Sequence, residues 1–455
     1  MVFAKTHGQE GPQVQHLLYL EVLSCLPEEG FPLDELVMKT QQLFAQEGMA
    51  GFVGLLLSLL DERLSLSLLG KIDGWRPVPC CAHPRYESKG RRPRRFRTGI
   101  GEVKVEWRQM VCRNCGRHLI PLREFLRLSP YQSKSQELER TVVEVVSEQS
   151  YRRSSSHLQT IGKIPVPKST SHRWVAQSDC DESEWPPDLR YILADGTSYR
   201  RRPNRSKQQD HHGEVRVVLG VDDRGDLLGL GAYSGWSWTE IREDLDRLRG
   251  GHGKARLLIS DGEPGLADNL AGLADDYQRC HWHALRDVGY SLWRDGLLKP
   301  VRDPERRRLK GILEIQLPSG SVESVAKKDR RGILSRMKQA EQGLDKMIAD
   351  FERRGYRAAA GYVRSAQRHL FGHLRLWLRT GLIAPRTSSL IERWMREIGR
   401  RLKRIAFGWS EEGAAKMTRI IIKHLASKEE WERWWQRKMG IEGKVMLVYR
   451  GVHVK

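Results

Sequence analysis

The sequence predicts an α/β core interrupted by an α-helical insertion and preceded by helical, metal-binding β and helix-turn-helix modules. Three observations carry that expectation. Between Tyr191 and Ser260, apolar segments of strand length alternate with turns and one amphipathic helix. After about Asp268, apolar residues recur at helical spacing to the end of the chain. Ahead of both, two cysteine pairs flank a basic, β-like stretch. At 455 residues the chain has room for about three domains.

Composition narrows the partners. Lys and Arg number 78 against 57 Asp and Glu, a formal net charge of +21 with a pI near 9.8. That balance favours a polyanion, nucleic acid first. Hydrophobic residues make up 39%, enough for a real core and too many for a collagen-like or wholly disordered chain. No run of about 18 apolar residues exists, so no membrane span is expected. The most apolar run, Gly51 to Leu60, is followed at once by Asp61, Glu62 and Arg63. The opening MVFAKTHGQE lacks the charged and apolar regions of a secretory leader. Seven cysteines, an odd number, favour metal ligation or free thiols over a disulfide framework.

Residues 1–72 form the N-terminal helical region, from the spacing in LLYLEVL, ELVMKTQQLFAQ and GLLLSLLDERLSLSLL. Residues 73–130 form a zinc-binding β module with a strand at Val103–Cys112. Its ligands are Cys80, His83, Cys112 and Cys115, with Cys81 the alternative in the first pair. Two closely spaced pairs separated by a hairpin suit a tetrahedral zinc, and Gly116 suits a knuckle turn. Arg91, Arg92, Arg94, Arg95 and Arg97 lie between the pairs, where a basic hairpin tip would grip phosphates.

Residues 131–180 read as a helix-turn-helix-like DNA-binding region. Leu138–Ser150 and Ser154–Ile161 supply two helices, and Pro165 and Pro167 break the chain. Ser169-Thr170-Ser171 would cap a recognition helix through Trp174 and Val175, exposing Ser169, Ser171, His172 and Arg173 to DNA.

The core's first part spans 188–283. Tyr191–Thr197 is an apolar strand ending in Asp195; Glu214–Val221 and Leu227–Tyr233 follow around the turn Asp222–Gly225. Helix Trp238–Arg249 leads to a further strand, Ala255–Ser260, ending in Asp261. Strand, strand, strand, helix, strand is the order of a ribonuclease-H-like sheet, whose first and fourth strands are neighbours. Asp195 and Asp261 would then sit side by side, a repulsive pair that divalent cations relieve. After a helical insertion at 284–386, residues 387–455 complete the core with C-terminal helices. A helix capped by Thr387, Ser388 or Ser389 brings Glu392 as third carboxylate, with Glu397 and Glu263 the alternatives. Arg396, Arg400, Arg401, Lys403 and Arg404 continue it as a basic surface for a DNA backbone. Trp431, Trp434 and Trp435 share one helix face, suited to core or dimer packing rather than base stacking.

These motifs resemble the DDE transposases of the Mutator-like superfamily of prokaryotic insertion sequences. The matching residues are Ala194-Asp195-Gly196-Thr197, Ser260-Asp261-Gly262 with Gln278-Arg279-Cys280-His281-Trp282-His283, and Thr387 to Arg393. The similarity covers about residues 190–425; Ser388 and Ser389 stand where many members carry Asn. The resemblance implies that Asp195, Asp261 and Glu392 hold Mg²⁺ (or Mn²⁺), with Cys280, His283 and Arg393 supporting the site. It further implies cleavage at transposon terminal inverted repeats and strand transfer into double-stranded target DNA. A homodimer or larger assembly on DNA and a cytoplasmic, nucleoid-associated location in a prokaryote also follow from it. The alternatives are a domesticated transposase-derived DNA-binding protein and a ribonuclease-H-like DNA nuclease.

Overall fold

The computed structural model describes residues 48–162, 164–178, 183–202, 212–318, 327–405 and 408–441. The expected helices in residues 1–47, and Cys25 and Cys180, lie outside these. The chain divides into two compact units, 1–141 with 155–166, and 142–154 with 167–455.

In the first unit, β1 (Tyr86–Thr98), β2 (Gly101–Cys112) and β3 (His118–Leu119) form an antiparallel sheet in that order. Alternation along β2 turns Val103, Val105 and Trp107 inward, onto helix Met49–Leu68. Gly54 allows that approach: a Cβ there would lie 2.7 Å from the Lys104 carbonyl oxygen. Asp61 is buried, and its carboxylate accepts the Arg108 N–H at 3.0 Å. The basic stretch is strand β1 rather than a hairpin tip, which is Gly99-Ile100. Pairing across to β2 sets its residues on alternating faces. Arg94, opposite Val105, stacks its guanidinium 5.7 Å from the Phe96 and Trp107 rings. Arg91, Arg92, Arg95 and Arg97 are exposed.

The second unit holds β4 (Tyr191–Arg200), β5 (His212–Val221), β6 (Leu227–Ser234), β7 (Leu257–Ser260) and β8 (Tyr277–Arg279). The sheet order is β6-β5-β4-β7-β8, antiparallel from β6 to β4 and parallel from β4 to β8. All four residues of β7 are buried, as a central parallel strand covered on both faces must be. Helix Trp238–Arg249, opened by a Ser237–Glu240 capping box, carries the chain from β6 toward β7 and buries Ile241 and Leu245 against Ile192, Val218 and Leu258. Helix Ser389–Gly399 packs on β4, and helix Glu411–Ala426 on β6.

The insertion is helical, as expected. Helices His281–Arg294, Lys299–Leu313, Lys327–Arg353, Arg357–Gln367 and Gly372–Thr380 enclose a core of their own around Val288, Leu309, Leu344, Phe351, Val363 and Trp377. Both ends are stitched to the sheet. The Arg279 N–H donates to His369 O at 2.8 Å, Cys280 N–H to Ser260 O at 2.8 Å, and His281 N–H to Arg386 O at 3.0 Å. In helix Lys428–Met439, Trp431, Trp434 and Trp435 are buried against one another, so packing is their role.

Helices Gln136–Glu148, Tyr151–Thr160 and Lys168–Gln177 stand in the region read as helix-turn-helix-like. Two of the expected DNA contacts fail, Ser171 and Arg401. That last helix starts after Pro167 with no side-chain cap, and Ser171 is buried with its hydroxyl donating to Pro167 O at 3.3 Å. Ser171 is therefore not a DNA reader, whereas Ser169, His172 and Arg173 are exposed. Arg401 is the second failure. It lies in a π-helical turn, Arg400–Arg404, 1% exposed, donating through Nε to Val146 O at 2.9 Å and stacking 4.7 Å from the Trp409 ring. Burial pushes its pKa down to about 10. Arg400 is engaged by Glu397 at 2.8 Å and Glu148 at 2.7 Å, while Arg396 and Arg404 stay exposed.

Candidate active site and metal centre

The carboxylates follow from strand register. β4 and β7 pair in parallel from Tyr191↔Leu257 to Ala194↔Ser260. Asp195 and Asp261 are the next residues on each. Asp195 does not end its strand, because β5 continues beside β4 to Arg200. What stops at Ala194 is the partnership with β7, and the gap exposes one edge of β4 at the aspartate. Asp261 turns the chain: its Oδ1 accepts the Glu263 N–H at 3.0 Å, and Gly262 has φ +88°, where a side chain would also strike the Arg279 guanidinium.

Glu392 comes from the helix packed on β4. Ser388 occupies the N-cap position but caps no backbone amide. Its hydroxyl is instead 3.1 Å from Glu392 Oε1 and 3.3 Å from His283 Nδ1, and its N–H donates to Cys280 Sγ at 3.3 Å. A hydroxyl has one proton. Donating it to the carboxylate leaves the oxygen to accept from His283 Nδ1–H, which assigns the imidazole tautomer. Burial, then Arg286, pushes the His283 pKa down, toward the neutral ring this network uses. Ligand atoms of Cys280, His283 and Glu392 all lie within 4.8 Å of one another, and Ser388 bonds to each of the three residues. Asp195, Asp261 and Glu392 form no comparably tight group among the described residues.

The three acids still share one field. Burial first, then the negative charge of Asp261 and of Glu392, pushes the Asp195 carboxyl up to about 7. The native protein thus holds a proton that the unfolded chain releases from about pH 4 upward. Without divalent cations, stability due to this group falls as pH rises from about 4 to about 7. Melting temperatures measured in EDTA should fall across that window, and Mg²⁺ should flatten the slope; an unchanged slope would detach Asp195 from cation binding.

The expected site residues divide cleanly. Cys280, His283 and Glu392 come together, and Asp195 feels the charges of Asp261 and Glu392. Arg393 stands apart: it is exposed and forms no hydrogen bond or ion pair among the described residues. Glu397 is held by Arg400, and Glu263 by Arg216 at 2.8 Å and Trp238 Nε1 at 2.9 Å, so neither alternative is free to be the third acid. Sequence reasoning missed Ser388 as the hub, and Arg286, whose charge opposes the acids at Asp195. Ser388→Ala should lower any Glu392-dependent activity by roughly 10–100-fold, the usual cost of removing a group that orients a ligand. The melting temperature should move little, and Ser388→Thr should restore activity; full activity of the alanine variant would remove Ser388 from the site.

The second cluster lies in the first unit. Cys80, Cys81, Cys112 and Cys115 bring their sulfurs within 4.8 Å of one another, with Cys80–Cys115 at 3.5 Å and Cys81–Cys112 at 3.8 Å. Four thiols so arranged can hold a metal ion; tetrahedral bonds of about 2.3 Å to zinc would separate the sulfurs by about 3.8 Å. The residue that joins Cys80 in this group is Cys81, where His83 was expected. The His83 side chain is exposed, and its carbonyl accepts from the Asn114 side chain, which points that backbone across to the second pair. Gly116, at φ +73°, closes the knuckle turn with its N–H on Cys112 O at 2.8 Å. Burial works against the Cys112 thiolate, but backbone bonds with Cys115, Arg85 and Asn114 outweigh it and bring its pKa to about 6.

A scan of protein-family models gives no match to the chain, and a search of curated proteins gives none either. No helix among the described residues is long and apolar enough to cross a membrane.

Proposed function

We propose that the protein is a DNA transposase of the DDE type, cutting transposon ends and joining them to target DNA. One observation carries this: two aspartates at the point where adjacent parallel strands part, facing a third acid on a helix packed against the same strand. The sheet order supports a ribonuclease-H-like core, three antiparallel strands followed by two parallel ones. The donor set fits hard divalent cations: its oxygens are carboxylates, and burial, with the charges of Asp261 and Glu392 added, raises the Asp195 pKa to about 7 where no cation offsets them. Mg²⁺ or Mn²⁺ held by Asp195, Asp261 and Glu392 would supply positive charge at the attacking and leaving oxygens of an in-line phosphoryl transfer.

The chain's own residues do the rest. Ser388 and His283 hold Glu392 in orientation. The exposed arginines of β1, with Arg396 and Arg404, suit phosphate contacts that fix register on DNA without reading sequence. Water attack at a phosphodiester frees a 3′-hydroxyl; that hydroxyl then attacks a target phosphodiester and displaces its 3′-oxygen. Joining two ends calls for at least a dimer on DNA. The four cysteines fit structural zinc, which would lock the base of the basic hairpin.

The test is a mobility assay. The gene is expressed beside a marker flanked by its own genomic ends, with wild type and Asp261→Asn in parallel, and new junctions are sequenced. Junctions from wild type alone support transposition. DNA cleavage without junctions supports a nuclease; binding to the ends without cleavage supports a domesticated DNA-binding protein.

A further inference from the structure

Helix His281–Arg294 begins at the site and faces two ways. At 100° per residue, Ala284, Val288, Ser291 and Leu292 point into the protein and are buried. Trp282, Arg286, Tyr290 and Trp293 fall within an arc of about 80° on the other side. Trp282 is 53% exposed, Tyr290 59% and Trp293 62%, unlike the buried tryptophans of the C-terminal helix. Three large rings left open to water along about 17 Å of helix are costly without a ligand.

The ligand's chemistry can be read from what surrounds them. Arg286 lies 5.6 Å from the Trp282 ring, inside the stripe, and the Trp282 ring meets His283 edge-on at 4.8 Å. Arg294 ends the helix. Arg306, from the next helix, packs beside Gly289 and donates to Leu285 O at 3.1 Å. Open aromatic faces alternating with guanidinium groups match a strand with π-faces on one side and phosphates on the other. The stripe is continuous with the carboxylates through His283 and Arg286.

We infer that this face is a stacking platform for unpaired bases of DNA whose backbone lies at Asp195, Asp261 and Glu392. The inference rests on the proposed DNA chemistry of those acids. About 17 Å spans roughly five stacked bases at the duplex rise of about 3.4 Å per base. Bases freed from pairing beside the scissile phosphate would be kept from re-pairing by the rings, while Arg286, Arg294 and Arg306 hold their phosphates.

The test uses the full chain carrying Asp261→Asn, in EDTA, with two DNAs: a blunt duplex and the same duplex with a five-nucleotide single-stranded extension containing 2-aminopurine. The parent should prefer the extended DNA and quench its fluorescence. Trp282→Ala with Trp293→Ala should weaken binding of the extended DNA by about tenfold or more, abolish quenching and leave blunt-duplex affinity unchanged. Trp282→Phe with Trp293→Phe, keeping rings, should restore most of both. Equal affinity of the parent for the two DNAs would overturn the platform. So would equal losses on both, or dissociation of a dimer by the alanine changes with no loss of DNA affinity. Cleavage is read separately with wild type and Mg²⁺: stacking without cleavage removes the catalytic proposal, and cleavage without stacking removes this one.

Discussion

Asp261→Asn is expected to yield a folded, DNA-binding protein that neither cuts nor joins DNA. The change is isosteric and keeps an oxygen that can accept the Glu263 N–H, so the turn at Gly262 survives. What disappears is one negative charge from the set that raises the Asp195 pKa. Removing a group that merely orients a metal ligand costs roughly 10–100-fold, so losing a ligand should cost at least a hundredfold. Asp195→Ala and Glu392→Ala should behave alike, with end binding by gel shift retained. The removed charge also has an opposite effect on stability. With Asp261 neutral, Asp195 titrates closer to its ordinary value, and the metal-free variant should melt higher than wild type near pH 7. A variant that cleaves normally, or that melts lower in EDTA, would displace Asp261 from the centre.

Cys112→Ser is expected to have the largest effect on folding. Elemental analysis of the wild type should give about one zinc per chain, and the variant none. Structural zinc binding contributes on the order of 10 kcal/mol, comparable with the whole stability of a small domain. The sheet's apolar cluster around Phe96, Val103, Val105 and Trp107 is small, so metal loss should open it to protease around Arg91–Arg97. Cys81→Ser should match Cys112→Ser, while His83→Ala should keep its zinc. Zinc-free wild type, or zinc lost from His83→Ala, would overturn the four-cysteine assignment.

The parts legible in the sequence were those set by periodicity. LLIS reads as a strand from its unbroken apolar run, and two such runs, each with Asp at the next position, make the site's geometry. Side-chain direction was less accessible. Ser388 reads as a helix cap and stands at one, yet its hydroxyl turns to His283 and Glu392, residues that only the fold brings near. Cys81 and His83 are equally good ligands by type; the course of the backbone after Cys80 decides between them. Arg401 belongs to a basic run that reads as solvated, and its burial depends on the Trp409 and Tyr151 rings it packs against. Tryptophan spacing reveals which face the rings share, but not whether that face is covered: Trp431, Trp434 and Trp435 are covered, and Trp282 and Trp293 are open.

The stitching of the insertion to the sheet has a consequence for synthesis. Glu392 follows Asp261 by 131 residues. At roughly 5–20 residues per second, a ribosome needs on the order of ten seconds to go from one to the other. During that interval the nascent chain has its sheet and both aspartates but no third acid and no Ser388. Any product ending early, by a premature stop, a frameshift or proteolysis within the insertion, would stay in the same condition. On the proposed chemistry such fragments would bind DNA without cutting it, so the order of the motifs along the chain would itself act as a safeguard, withholding cleavage until the third acid has been made.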